Sequence, residues 1–239
     1  AATISALFAE LRAQLVPIAQ AITAQPPADD SCLRQHFSED QQLAFGLEVI
    51  KRFGYDFTRG RQDKTHHPFT ITFSLGDVRI TTRVKENDLG VALFSTLHEA
   101  GHGLYEQGLP EAWRSSVLGA AASMGLHESQ SRLWENLVGR SLPLWRAFLP
   151  RLAARFPALA GVTPEAFHAA ANRVERSLVR VEADEVTYNL HIVLRFELEL
   201  ALLRGDLAVK DLPGAWNDAS ERILGVRPAR DAEGVLQDI

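Results

Sequence analysis

Cysteine is nearly absent: Cys32 is the only one in 239 residues, so no disulfide can form within the chain and no oxidising compartment is required. A cytoplasmic setting is the default expectation. Positive charge is not in excess either, because 25 Lys and Arg face 30 Asp and Glu and leave a formal net charge of −5. That balance argues against nucleic acid as the main partner. No apolar run reads as reaching the roughly 18 residues that span a bilayer, and the N-terminus lacks the charged and apolar regions of a signal peptide, so no membrane is expected. Internal repeats, low-complexity tracts and heptads are also missing. What remains, 46% hydrophobic and 23% charged, is the composition of an ordinary globular protein with a real core. The chain opens without Met and closes without a polar tail, which reads as two ends cut from something longer.

Helical periodicity dominates. Ile4, Leu7, Phe8, Leu11, Leu15, Ile18 and Ile22 recur at three- and four-residue steps, predicting a first helix over 3–23. A second is expected behind Ser38, a capping residue, and ends at Gly54. Between 69 and 85, β-branched and aromatic residues alternate on both sides of Leu75-Gly76-Asp77, predicting a β-hairpin. Everything after Asp88 reads as helical: 89–107, 116–139, 141–156, 164 to about 204, and 214–224, interrupted by prolines. The expectation is a mainly α fold with one small hairpin, organised as a single unit over 1–239.

One stretch carries chemistry. "TLHEAGHGLYEQG" places His98 and His102 one turn apart in a predicted helix, with Glu99 beside the first. Four residues turn a helix by about 400° and advance it about 6 Å, so both imidazoles reach one metal ion on nearly the same face. Glu99 projects roughly 100° away, free to act on a water near that ion. Gly101 and Gly103 weaken the helix by about 1 kcal/mol each relative to Ala, which points to close approach of a substrate or a neighbouring helix. A catalytic zinc needs a third protein ligand. Glu128, in "GLHESQSRLWEN" on the following helix, is the candidate, with His127 oriented beside the ligands rather than on the ion. A surface ion pair of Glu128 with Arg132 is the bland alternative. His98, His102 and Glu128 with Glu99 as general base would hydrolyse amides, and an endopeptidase, aminopeptidase or carboxypeptidase would fit equally.

Downstream, Arg180, Asp184, Tyr188, His191 and Arg195 form a polar stripe on a helix expected to be buried nearly all round. Two readings stay open for it. One is a structural pairing of Arg180 with Asp184; the other is an active-site wall in which an arginine forks a substrate carboxylate.

Taken together, His67-Pro68-Phe69, "DVRIT" at 77–81, "HEAGH" at 98–102, "HESQSR" at 127–132, "VRVEAD" at 179–184 and "GVLQD" at 234–238 make the chain closely resemble the carboxypeptidase Taq family of zinc metallocarboxypeptidases. The motifs stand in the family's order across most of the chain, with Val179 in place of the usual Ile. The resemblance implies a helical zincin-like fold with a deep groove, Zn2+ replaceable by Co2+, and metal ligands His98, His102 and Glu128. It also implies Glu99 as catalytic acid/base, and Arg180, with Arg79 and His67, as substrate-binding residues. Expected partners are peptides with a free C-terminus, cleaved with broad specificity, and a second copy in a homodimer. Because the chain stops one residue before the His-Trp that completes the last motif, the resemblance implies that the family's N-terminal helical part and C-terminal segment lie outside it. The rival readings are another HExxH aminopeptidase or endopeptidase, and a metal-binding or dimerisation fragment without turnover.

Overall fold

A computed structural model describes residues 1–114 and 116–237; Asp238, the last residue of the "GVLQD" motif, lies outside them. In chain order the main elements are α1 (Ala2–Thr23), α2 (Glu39–Phe53), β1 (Gln62–Lys64), β2 (Thr70–Ser74), β3 (Asp77–Thr82), α3 (Leu89–Gln107), α4 (Met124–Arg132), a π-helical stretch (Leu133–Gly139), α5 (Leu142–Arg155), α6 (Pro164–Ala171), α7 (Glu185–Arg204) and α8 (Leu212–Leu224). The fold is mainly α with a small sheet, as the periodicity predicts. The chain divides into two compact units, Asp29–Ala171 and the pair Ala1–Ala28 with Asn172–Ile239.

In the Asp29–Ala171 unit, α2 carries Glu39 and Asp40 in its first turn and Lys51 and Arg52 in its last, each opposing the helix dipole. It ends at Gly54, whose φ of 103° is left-handed backbone that glycine adopts without strain. Ser38 occupies the N-cap as expected, but its side chain makes no capping bond. The hairpin is present: β2 runs antiparallel to β3, with Thr70 opposite Ile80 and Ile71 opposite Arg79. Strand β1, three residues long and parallel to β3, was not legible because so short a segment carries no alternation.

Val78 and Ile80 turn inward from β3, and Tyr55 passes beneath them, its hydroxyl donating to the Val78 carbonyl at 2.6 Å. Burial pushes the Tyr55 phenol well above its usual range. The core beyond is aromatic and aliphatic: Phe37, Phe45, Ile50, Trp145, Leu152 and Phe167 are essentially inaccessible. Trp145 and Phe167 meet at 4.2 Å between ring centroids.

The other unit is built from α1, α7 and α8 around Ala19, Leu190, Leu194, Trp216, Ile223 and Leu224. Phe8 meets Phe196 edge to face at 5.0 Å, and Arg12 pairs with Glu197. Helix α1 corrects one expectation: with an 18-residue window of mean hydropathy 1.2, it is long and apolar enough to cross a membrane by length and composition. Its charges, Glu10 and Arg12, are too few to bring the average down. Here that apolar surface is partly spent on α7.

Three helix expectations are corrected. The run 164–204 is not continuous: α6 ends at Ala171 and α7 starts at Glu185. Asp184 is the reason, because its carboxylate accepts from the Val186 and Thr187 amides at 2.9 and 3.0 Å and so starts a new helix. Arg180 therefore sits in a separate 3-10 turn and reaches Tyr188 Oη at 3.4 Å, while Asp184 is occupied as a cap. Nor is α7 buried all round; Thr187, Leu190, His191, Val193 and Leu194 are buried, and Leu203 is 76% exposed. The expected helix 116–139 resolves into a short 3-10 turn, α4 and the π stretch.

Tyr55→Phe leaves the buried Val78 carbonyl short of its donor. The expected loss is about 1–2 kcal/mol of stability with the helical signal retained, read by urea unfolding.

Candidate metal centre

Asp88 caps α3 by accepting from the Gly90 amide at 3.0 Å, and Leu93, Leu97 and Ala100 bury its inner face. A buried hydroxyl cluster fastens β3 alongside: Thr82 Oγ1 lies 2.7 Å from Ser95 Oγ, and Thr96 Oγ1 donates to Thr82 Oγ1 at 3.2 Å. Thr81 then pins the next strand, since its hydroxyl both accepts from the Phe69 amide at 2.8 Å and donates to the Phe69 carbonyl at 3.0 Å. That places Thr70, at the start of β2, against α3. Its Oγ1 lies 2.6 Å from Glu99 Oε2, fixing a carboxylate that is only 6% exposed.

The two glycines beside the histidines have distinct uses. A Cβ on Gly101 would stand 2.6 Å from the Gln130 carbonyl oxygen and from Ser131 Cα, so α4 crosses α3 backbone against backbone. A Cβ on Gly103 would meet the Tyr55 ring at 2.8 Å. The expected close approach is thus made by a helix at one glycine and an aromatic ring at the other.

This crossing delivers Glu128. Its Oε2 lies 3.2 Å from His102 Nε2 and 3.7 Å from His98 Nε2, and the ligand atoms of all three residues fall within 4.8 Å of one another. Donors about 2.1 Å from a tetrahedral zinc stand roughly 3.4 Å apart, so this set fits a small divalent cation. The second carboxylate oxygen, Oε1, accepts from Arg132 Nε at 3.1 Å, leaving Oε2 turned to the imidazoles. Burial raises the Glu128 carboxyl, but the His102 hydrogen bond and the charges of His98, Arg132 and His102 outweigh it and lower it to about 2. The group is a carboxylate, as a metal ligand must be.

Each imidazole also turns its other nitrogen to a partner. His98 Nδ1 lies 2.8 Å from Glu135 Oε2, and Glu135 is itself held by Arg132 at 3.2 Å and Arg140 at 3.4 Å. Burial pushes the Glu135 carboxyl up, yet the His98 hydrogen bond with the charges of Arg140 and Arg132 brings it below its usual range. For His98 burial lowers the imidazole, but the Glu135 hydrogen bond and the charges of Glu135, Glu99 and Glu128 leave it raised. His102 Nδ1 lies 2.5 Å from His127 Nδ1, and His127 Nε2 lies 2.7 Å from Glu106 Oε1. His127 therefore stands beside the ligand set, as its angular offset predicts.

The structure thus brings together His98, Glu99, His102 and Glu128. Among the other expected site residues, Arg79 forks Asp77 with two bonds of 2.8 Å and lies over the Phe73 ring at 5.1 Å. His67 is exposed in the segment before β2, and half-buried Arg180 belongs to the other unit. Glu106 was missed, although the four-residue step from His98 through His102 to Glu106 was a readable signal.

A helix-borne HExxH pair, a carboxylate brought against it by the next helix and a buried glutamate held beside them are the residue set of a metallopeptidase centre. The whole chain, residues 1–239, matches the carboxypeptidase Taq (M32) metallopeptidase family and belongs to it. It is 51% identical over 234 residues to thermostable carboxypeptidase 1 of Thermus thermophilus, covering 98% of this chain and 46% of that protein. It is 41% identical to carboxypeptidase 1 of Bacillus subtilis, covering 98% of this chain and 47% of that one. The crystal structure of an M32 carboxypeptidase from Deinococcus radiodurans superposes with a TM-score of 0.98 at 55% identity, covering 100% of this chain and 48% of that chain. The chain spans about half the length of the relatives it matches.

Gly101→Ala puts a methyl into the Gln130–Ser131 backbone and must displace α4 together with Glu128. Zinc affinity measured by chelator competition is expected to fall about 10-fold or more with helicity unchanged.

Proposed function

We propose that this chain carries the catalytic centre of a zinc-dependent metallocarboxypeptidase that removes residues from the free C-terminus of peptides with broad specificity. One observation carries the reading: Nε2 of His98, Nε2 of His102 and Oε2 of Glu128 converge while Glu99, held by Thr70, stays out of the ligand set. Family membership and the carboxypeptidase names of the relatives support the exopeptidase direction.

Zinc in this site supplies Lewis-acid polarisation of the scissile carbonyl. Glu99 does the proton work. Its carboxylate takes a proton from the attacking water as the new C–O bond forms, then hands it to the leaving amine as the C–N bond breaks. Thr70 holds one Glu99 oxygen, which leaves the other to meet the water. Glu128 acts as a ligand because Arg132 and Ser131 fix its orientation. A groove of about 410 Å3 lined by Thr72, Phe73, Leu75, Glu106 and Arg114 offers an open trough along the edge strand β2 for a peptide. Arg180 takes the substrate carboxylate through its planar fork, with His67 and Arg79 as further contacts. Co2+ replaces Zn2+, the enzyme works in the cytoplasm as a homodimer, and residues 1–239 act as one catalytic unit.

Glu99→Gln is expected to abolish release of the last residue from an N-blocked peptide while zinc stays bound. Loss of zinc in that variant would contradict the assigned roles. Arg180→Ala should weaken hydrolysis of peptides with a free C-terminal carboxylate about 10-fold or more in kcat/KM; equal losses on C-terminal amides would reject the carboxylate clamp.

A further inference from the structure

The two ligand imidazoles are anchored differently. His98 leans directly on a carboxylate, whereas His102 leans on a second imidazole that ends on one. Glu106 is 7% exposed, and a buried carboxylate is costly unless its partners need it. The distances of 2.7 Å from Glu106 Oε1 to His127 Nε2, and 2.5 Å from His127 Nδ1 to His102 Nδ1, leave little freedom in where protons lie. A carboxylate accepts only, so His127 must carry a proton on Nε2. Neutral His127 then has its lone pair on Nδ1. Across the 2.5 Å contact it accepts the Nδ1 proton of His102, which puts the His102 lone pair on Nε2, facing Glu128. The opposite tautomer of His127 would set two acceptors, Glu106 and Nε2, against each other and place a proton on the wrong nitrogen of His102. The Tyr105 ring, edge to face with His127 at 5.2 Å, holds the imidazole plane.

We infer that Glu106 and His127 form a buried relay that selects the metal-ligating tautomer of His102, with Glu106 as a positioning residue acting through His127. The relay rests on the metal-site reading proposed above, and it extends the set of residues that reading requires. It also accounts for the four-residue repeat His98, His102, Glu106 along α3: the first two positions serve the ion, and the third serves the second of them through α4. Such partners of a metal-bound histidine are worth about 10- to 100-fold in metal affinity.

The test uses this chain labelled with 15N-histidine, with and without Zn2+, as the parent and as Glu106→Leu, Glu106→Gln, His127→Phe and the double variant Glu106→Leu/His127→Phe. In the parent the 15N shifts are expected to place the His127 proton on Nε2. Glu106→Leu should convert His127 to a mixture of tautomers and lower zinc affinity about 10-fold or more by chelator competition. Glu106→Gln still accepts through its amide oxygen and should retain the Nε2–H form and most of the affinity. The double variant should bind zinc no more weakly than His127→Phe alone, because a relay is lost once. An unchanged His127 tautomer in Glu106→Leu, equal losses in the Leu and Gln variants, or losses that add in the double variant would overturn the relay. Failure of the parent to bind zinc would reject the metal reading instead, while the His127 tautomer of the metal-free chain still decides the relay.

Discussion

The arrangement depends on two helix backbones touching at Gly101. With no Cβ there, the Gln130–Ser131 peptide of α4 rests on α3. From that fulcrum, Glu128 is set back one turn and lands against both Nε2 atoms. Any side chain at Gly101 lifts α4 by the thickness of a methyl group. A metal site tolerates only a few tenths of an ångström in ligand position, so the centre depends on a contact that contributes no ligand. Gly139 makes room for a side chain instead, since a Cβ there would stand 2.6 Å from Leu97 Cδ1.

Charge is organised outward from the same point. Two imidazoles face one carboxylate, Glu128, and each is backed by a carboxylate of its own, Glu135 directly and Glu106 through His127. Arg132 bridges the two layers, bonding Glu128 at 3.1 Å and Glu135 at 3.2 Å. Glu135 itself lies within the π-helical stretch, in its first turn. Such local departures from the α-helix recur at functional sites, where side-chain direction matters more than backbone regularity.

Much of the fold was legible in local chemistry. Gly54 stopped α2, the Leu75-Gly76-Asp77 turn closed the hairpin, and Asp88 opened α3. The failures share a cause. Between 164 and 204 the apolar period continues across Asp184, and only the capping bonds to Val186 and Thr187 reveal that the helix begins anew there. Strand β1 pairs with residues about eighteen positions away, a long-range hydrogen-bond pattern that three residues cannot announce.

For the site, the sequence by itself determined the residue types and their spacing: two imidazoles one turn apart, a glutamate between them that cannot share their face, and a second carboxylate on the next helix. Helical geometry is local, so those relations follow from residue numbers. Tertiary structure alone decided which nitrogen of each imidazole is offered, which oxygen of Glu128 faces them, and which buried carboxylates stand behind them. Those choices depend on hydrogen bonds between α3, α4 and the π stretch. They are set by how closely the helices pack, and that closeness is settled where glycine removes a side chain from the contact.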